Sequence, residues 1–134
     1  MLSELAADAC LTLLASVPVG RVGLSIDALP VVLPVNFAVV DGEVVFRTVV
    51  GTKFHAAVRE AVVAFEADGY EPSGVSGWSV LVLGTAVLIT DPDEIARLSK
   101  LTVDPWAVDG SADRFVRIRT ARITGRRFTR PSPS

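Results

Sequence analysis

The chain contains little of what most site chemistries require. Its 134 residues include one cysteine and one histidine, so an internal disulfide is impossible and no cluster of these residues can bind a metal ion. No G-x-G-x-x-G, C-x-x-C or G-x-S-x-G element occurs. The sequence therefore lacks a dinucleotide fingerprint, a dithiol redox motif and a hydrolase nucleophile motif.

Long apolar runs and a strong charge of one sign are also absent. Pro30, Pro34, Asp41 and Glu43 interrupt the most hydrophobic stretch, which stays well short of the ~20 residues that span a bilayer. The acidic start of the chain does not resemble a secretory signal. A net charge of -2 with 13 scattered basic residues gives no footprint for nucleic acid. We expect a soluble cytoplasmic protein that binds neither membranes nor nucleic acid.

Most of the remaining sequence has the pattern of β-strands. Half of the residues are hydrophobic, and period-2 segments bounded by turn residues predict strands at Arg21–Ile26, Val31–Val39, Val44–Val49, Val62–Asp68, Trp78–Thr90 and Arg114–Phe128. Helical spacing or capping residues predict helices over Ser3–Ala15, Thr52–Glu60 and Asp91–Leu101.

Six strands with apolar residues on both faces exceed what an open sheet can cover, and a closed barrel removes the exposed edges. We predict a mainly β fold, a six-stranded antiparallel barrel, as one domain over residues 1–128 with a disordered tail at residues 129–134. Cys10 lies in an apolar helical pattern and is expected to be buried. The arginines between Arg114 and Arg127 are expected on the solvent side of the last strand, with a ligand or partner surface as the alternative.

One segment combines several devices for binding an anion. Arg47 and Thr48 end an apolar strand, Gly51 follows, and Thr52 and Lys53 open a helix. A guanidinium, an ammonium, hydroxyls and free backbone N–H groups are the donors that phosphate requires. The alternative is that Arg47 snorkels from an edge strand and Lys53 is merely solvated. A lysine opposes the dipole at a helix N-terminus, and this favours an anion beside it.

A set of short motifs in fixed order resembles a known family. They are P-V-N-F at Pro34–Phe37, a D-G hairpin, F-R-T at Phe46–Thr48, G-T-K at Gly51–Lys53, V-A-F-E at Val63–Glu66, G-W-S-V at Gly77–Val80 and I-T-G-R-R at Ile123–Arg127. This order is similar to that of the pyridoxamine 5'-phosphate oxidase-like split-barrel flavoproteins. The small bacterial members grouped with nitroimidazole-resistance proteins are the most similar.

The resemblance implies an FMN-binding split barrel that forms a homodimer, with the cofactor in a cleft at the subunit interface. Arg47, Thr48, Thr52 and Lys53 match the positions that hold the phosphate and ribityl chain. The strand whose backbone lies along the flavin ring matches Pro34, Val35, Asn36 and Phe37.

The partner subunit's contribution to such a site matches Trp78 and Ser79. Trp106 would form a wall of the same cleft, or alternatively a hydrophobic plug beneath the last helix. We expect a two-fold seam that includes the outer face of Trp78–Thr90, because that segment is apolar at both alternating positions.

The resemblance also implies the reaction class. We expect an FMN-dependent oxidoreductase that passes a hydride between a reduced nicotinamide or small organic substrate and the flavin. The chain lacks the C-terminal arginine and histidine pattern of true pyridoxamine phosphate oxidases, so oxidation of vitamin B6 is not expected. His55 is read as a packing or surface residue, and no residue is assigned a catalytic role. The alternatives are a deazaflavin-dependent reductase and a non-catalytic protein that stores or senses flavin or haem.

Overall fold

The computed structural model of the chain describes residues 1–101 and 113–131. The elements are, in order, β1 Leu2–Leu5, α1 Ala7–Leu14, β2 Val19–Ile26, β3 Leu29–Val40, β4 Glu43–Val49, α2 Lys53–Val58, β5 Val62–Tyr70, β6 Ser76–Leu88, α3 Pro92–Leu98 and β7 Asp113–Thr129. None of these helices is long and apolar enough to cross a membrane.

Six strands close into the predicted barrel. Their order is β7, β4, β3, β2, β5 and β6, and β6 pairs back to β7. Every neighbouring pair is antiparallel. Closure leaves no row of unpaired backbone groups along most of the sheet. The prediction of a mainly antiparallel β fold is confirmed.

The N-terminus differs from the prediction, because Leu2–Leu5 forms a seventh strand. It pairs with Gly125–Phe128 of β7, along the same edge of β7 that pairs with β4 further back. The expected helix from Ser3 to Ala15 is therefore wrong at its start, and the helix begins at Ala7. The open edge of β7 satisfies the backbone groups of these first residues and overrides their helical spacing.

The two tight hairpins have different outcomes. Asp41 and Gly42 both have positive φ and form the predicted two-residue turn. The turn between β2 and β3 was predicted to run from Asp27 to Pro30, but it consists of Asp27 and Ala28 alone. Leu29 pairs with Ile26, because a two-residue turn with positive φ matches the twist of paired strands.

The barrel interior holds the main core. Phe46, Phe65, Val22 and Ile118 have no exposed surface and come from four different strands. Cys10 of α1 is fully buried, as predicted. An added Cβ at Gly125 would lie 2.5 Å from its sulfur. Helix α1 therefore packs against β7 at a position that tolerates no larger side chain.

Strand β7 is one long strand with a register shift. Leu83 pairs with Arg122, whereas Gly84 pairs with Thr120, so Ala121 is an extra residue on β7. Such a bulge reverses the alternation of side chains. An added Cβ at Gly84 would lie 2.2 Å from the carbonyl oxygen of Arg119, and only glycine fits this close approach.

The arginines of β7 differ in their surroundings. Arg119 and Arg122 are exposed, as expected of a solvent face. Arg117 is only 29% exposed and forms ion pairs with Glu43 and Glu94. These pairs tie β7 to β4 and α3.

The end of the chain extends beyond the predicted domain boundary. β7 reaches Thr129, and the N–H of Arg130 donates to the carbonyl oxygen of Val75 at 2.6 Å. Residues 132–134 of the predicted tail lie outside the described residues.

A second, smaller core lies outside the barrel beneath α3. It contains Val45, Ile89, Leu98 and Phe115. The helix starts as predicted, because the carboxylate of Asp91 accepts from the N–H of Asp93 at 3.3 Å and proline follows the cap. It ends at Leu98, short of the predicted Leu101.

Candidate functional site

The strands β3 and β4 separate at one end of the barrel. Their pairing runs from Val40 opposite Glu43 to Phe37 opposite Phe46 and stops there. Beyond that point β3 continues beside β2 alone, and β4 continues beside β7 alone. The following helix α2 contacts both β2 and β4. This opening brings the segments at 34–37, 47–48 and 52–53 to one region of the molecule.

The edge of β3 at the opening is shaped by proline. The N–H of Phe37 donates to the carbonyl oxygen of Pro18, on the β2 side, so the backbone groups of Asn36 and Pro34 face away from β2. Proline has no N–H to offer another strand. Within residues 1–101 and 113–131, no strand pairs with this edge of β3 beyond Phe37.

The side chains of this segment divide between the two faces of β3. Val35 and Phe37 are each 6% exposed, and Phe37 packs edge-on against Phe65 at 4.8 Å. Pro34 is exposed and Asn36 is half-buried. Of the four residues assigned to the flavin ring, two therefore have side chains in the core, and only their backbone can contact a ligand.

Arg47 and Thr48 lie on opposite faces of β4. The guanidinium of Arg47 stacks over the ring of Phe115 at 4.7 Å, on the side of the smaller core. Thr48 is 1% exposed and points into the barrel. A strand alternates its side chains, so these two neighbours cannot bind one phosphate oxygen together.

The hydroxyl of Thr48 contacts His55 of α2. Its Oγ1 lies 2.6 Å from the Nδ1 of the ring. Thr52 is the N-cap of the same helix, and its Oγ1 accepts from the N–H of His55 at 3.0 Å and donates to the carbonyl of Val49 at 2.8 Å. His55 therefore contacts both of the threonine hydroxyls assigned to the phosphate.

Lys53 is the most accessible cation of the set. Its side chain is 84% exposed, and its Nζ lies 3.7 Å from a carboxylate oxygen of Asp27, which is 78% exposed. Asp27 belongs to the turn between β2 and β3. Exposed ion pairs contribute little free energy, so an anion of higher charge can displace Asp27 from Lys53.

Two arginines that the sequence analysis did not assign to the phosphate, Arg59 and Arg114, act electrostatically on His55. Arg114 of β7 pairs with Thr48 across the strands. The pKa of His55 is lowered, first by burial and then by the positive charges of Arg59 and Arg114. The pairing partner of Thr48 depends on contacts between distant segments, so no local pattern in the sequence indicates it.

Trp78 and Ser79 lie elsewhere in the molecule. Trp78 begins the inward face of β6, and an added Cβ at Gly69 would lie 2.7 Å from its indole nitrogen. The Arg47 region lies near the other end of β6, because the N–H of Ile89 donates to the carbonyl of Phe115. Only β5 and β2 separate this end of β6 from β3. Ser79 pairs with Asp68 of β5, and Arg21 of β2 pairs with both Glu66 of β5 and Pro34 of β3. Trp106 lies outside the described residues.

A second charged group lies on the outer face of β2 and β5. Arg21 lies 3.1 Å from a carboxylate oxygen of Glu66 and 3.5 Å from one of Asp68. The pKa of Glu66 is raised to about 7, mainly by loss of hydration and then by its hydrogen bond to Asp68 and that residue's charge, while Arg21 opposes the rise. These residues line a shallow pocket of about 280 Å³ that includes Val32.

Metal binding has no support in the described part of the chain. Residues 1–101 and 113–131 contain no group of three or more histidine, cysteine, aspartate or glutamate side chains placed to hold an ion.

Comparisons with known proteins agree with the fold. A family model described as Pyridoxamine 5'-phosphate oxidase matches residues 6–127. The uncharacterized protein Rv0080 of Mycobacterium tuberculosis is 42% identical over 96% of this chain and 87% of its own length. The FAD binding protein from Mycobacterium smegmatis has a TM-score of 0.82 and 36% identity, covering 94% of this chain and 99% of that chain.

A more distant structure shares the fold. The FAD and Heme binding protein from Mycobacterium smegmatis has a TM-score of 0.76 at 18% identity, covering 98% of this chain and 75% of that chain. The family resemblance predicted from the ordered motifs is confirmed.

Proposed function

Because this chain belongs to the pyridoxamine 5'-phosphate oxidase family, we propose that it is an FMN-dependent oxidoreductase. Its reaction would pass a hydride between a reduced nicotinamide, or another small organic substrate, and the flavin. The observation that carries the proposal is the opening between β3 and β4. Their pairing stops at Phe37 and Phe46, just before Arg47, and Lys53 begins the helix that follows β4. The relative from Mycobacterium smegmatis is named as an FAD binding protein, and FAD has the same ribityl phosphate as FMN.

The residues at the opening fit a phosphorylated flavin. Lys53 is exposed and has only an exposed aspartate beside it, and Arg47 is held against Phe115 rather than extended into solvent. A guanidinium already fixed in place loses little side-chain entropy when it binds an anion. We infer that Arg47 and Lys53 hold the phosphate from two sides.

The ring would lie along the edge of β3. The backbone there faces the opening at Pro34 and Asn36, and carbonyl groups near a flavin nitrogen tune its electronics. The flavin would supply the hydride chemistry when bound. The chain itself would bind the phosphate, orient the ring and leave one ring face accessible to substrate.

A homodimer would complete the site. Trp78 and Ser79 match the strand that the partner subunit contributes in the family, and we propose that a second subunit of this chain supplies them. Leu81 on the outer face of β6 is 38% exposed. We propose that two-fold pairing covers this face, because closed dimers are the commonest way to bury such a surface.

Two alternatives differ in cofactor or in activity. A deazaflavin has the same phosphate and ribityl chain, and the cations cannot distinguish it from FMN. A non-catalytic flavin- or haem-binding protein is favoured by one observation. Among the described residues at the opening, His55 is the only side chain suited to acid or base catalysis, and its Nδ1 is hydrogen-bonded to Thr48.

The visible spectrum of the purified protein, followed by release and chromatography of its cofactor, distinguishes FMN, FAD, deazaflavin and haem. Anaerobic mixing with reduced nicotinamide then tests activity. Bleaching of a bound flavin is the expected result. A flavin that stays oxidised with reduced nicotinamide and with other small reductants contradicts the oxidoreductase and supports the binding protein.

A further inference from the structure

His55 is joined to the proposed phosphate site by two hydrogen bonds. Its ring meets the hydroxyl of Thr48 at 2.6 Å, and its backbone N–H donates to the hydroxyl of Thr52 at 3.0 Å. The first bond joins α2 to β4, and the second fixes the start of α2 just before Lys53. The imidazole thus ties α2 to β4 through Thr48, while the backbone N–H of the same residue completes the Thr52 cap just before Lys53.

The direction of the first bond depends on the protonation of the ring. A neutral histidine whose Nδ1 is unprotonated accepts a hydrogen bond from the hydroxyl of Thr48. A charged histidine instead donates a hydrogen bond from Nδ1 and accepts none. Thr48 is 1% exposed, and its hydroxyl proton needs an acceptor. When His55 is protonated, the hydroxyl of Thr48 accepts from the ring, and its own O–H must donate to another group.

We propose that His55 is the positioning residue of the phosphate site and that binding of the flavin phosphate is coupled to proton uptake by His55. The inference rests on the proposed function, since it takes the phosphate to lie near Lys53 and the two threonines. A phosphate bound by Lys53 adds negative charge on the same helix as the ring. This charge favours the charged form of the ring.

The charges around His55 set the direction of the effect. Arg59 at the end of α2 and Arg114 of β7 act on the ring with positive charge, and together with burial they lower its pKa. Lys53 adds a further cation on the same helix, with Asp27 beside it. β4 presents Thr48 to the ring, and the charged residue of β2 faces the outside of the barrel in the ion pairs described above. A bound phosphate dianion offsets these cations, so the pKa of His55 rises on binding.

The sign of the pH dependence follows from this rise. A group that gains a proton on binding makes binding tighter at low pH and weaker as pH increases through its pKa in the complex. A rise of about one unit in the pKa of His55 changes the affinity roughly tenfold across the titration. Riboflavin has no phosphate, so its affinity should show no such change.

The single histidine makes a direct test possible. Ring resonances of the untagged protein in NMR report the pKa of His55 alone, in the free protein and in the presence of saturating FMN or saturating riboflavin. FMN should raise this pKa by about one unit, and riboflavin should leave it unchanged. Equal pKa values in the free and FMN-bound protein would overturn the inference.

Two variants separate positioning from a merely structural role. His55→Gln keeps a hydrogen-bonding side chain at this helical position after a threonine cap but does not titrate. Its FMN affinity should lose the roughly tenfold difference between about pH 6 and pH 8 that the native protein shows beyond the ionisation of FMN itself. Thr48→Val should reduce the FMN-dependent rise in the pKa of His55, because the charged ring loses the oxygen that accepts from its Nδ1.

The outcomes also separate this inference from the proposed function. A native protein that binds no FMN at any pH contradicts the proposed function itself. A native protein that binds FMN with the same pH profile as His55→Gln leaves the function standing and refutes the coupling.

Discussion

Removal of the two cations at the opening tests the phosphate site most directly. In Lys53→Ala the lost charge is 84% exposed, and exposed charge contacts contribute at most about 1 kcal/mol. We therefore expect FMN to bind about two- to fivefold more weakly. This small effect is the consequence of solvent around the ammonium rather than of distance from the ligand.

Arg47→Ala should have a larger effect. Its guanidinium is half-buried and stacked on Phe115, and a charge-assisted hydrogen bond at such a site contributes about 1.5–3 kcal/mol. That free energy corresponds to roughly a 10- to 150-fold loss of affinity. If the two cations bind independently, the double variant should lose on the order of 20- to several-hundredfold.

Asp27→Asn gives an effect of opposite sign. Asp27 lies 3.7 Å from the ammonium of Lys53 and competes with a phosphate for it. Removing this carboxylate should strengthen FMN binding by up to about fivefold, the limit for an exposed ion pair. In the Lys53→Ala background the gain should shrink, because the competition for Lys53 no longer exists.

The measurement is a flavin fluorescence titration with FMN and riboflavin in parallel. The ratio of the two affinities isolates the phosphate contribution, since riboflavin shares only the ring and the ribityl chain. Lys100→Ala is the matched control, because Lys100 is the other lysine of the chain and is exposed. Urea unfolding checks Arg47→Ala, which also loses a cation–π contact of about 0.5–1 kcal/mol. An unchanged FMN-to-riboflavin ratio in the folded double variant would refute the assignment.

Three further predictions concern the barrel and its surface. Gly84→Ala should lower the free energy of unfolding by about 1–3 kcal/mol, because its Cβ would lie 2.2 Å from a backbone oxygen of Arg119. A urea unfolding curve identical to that of the native protein would contradict the observed register shift. The pKa of Glu66 is raised from its ordinary value of 4.5 to about 7 in the folded protein. The folded state therefore binds the proton more strongly, and the free energy of unfolding falls as pH rises from about 4.5 to about 7. Unfolding of Glu66→Gln should lack that decline, and an equal pH slope in the variant and the native protein would refute the prediction. Leu81→Asp places a charge on the outer face of β6 and should convert the proposed dimer to a monomer in light scattering, whereas a native protein that is already monomeric with FMN bound would contradict the dimer.

The sequence predicted the elements whose signals are local. Asp41-Gly42 and Asp91-Pro92 have the required turn and capping chemistry within a few residues, and both boundaries are where they were expected. The strand Leu2–Leu5 was missed because its partner lies at Gly125–Phe128. Only the completed barrel leaves an edge there for the N-terminus to pair with.

The sequence likewise predicted the local features of the candidate site and not the contacts between its elements. The alternation of a strand already places Arg47 and Thr48 on opposite faces, and the sequence contains that information. It does not contain the burial of Thr48 or its contact with His55, which depend on how α2 folds back over β4. The lone histidine was interpreted as a packing or surface residue, and the structure gives it two hydrogen bonds to threonines of the proposed site, one from its ring and one from its backbone N–H.

The site and the assembly depend on each other if the partner subunit supplies Trp78. Trp78 lies on β6, and β5 and β2 separate this strand from the β3 edge assigned to the flavin ring. We propose that two subunits supply Trp78 and Arg47 to one cofactor. Cofactor binding then stabilises the dimer by the same free energy with which dimerisation strengthens cofactor binding. Dilution of the protein should therefore weaken FMN affinity, and Leu81→Asp should weaken it without any change at Arg47 or Lys53.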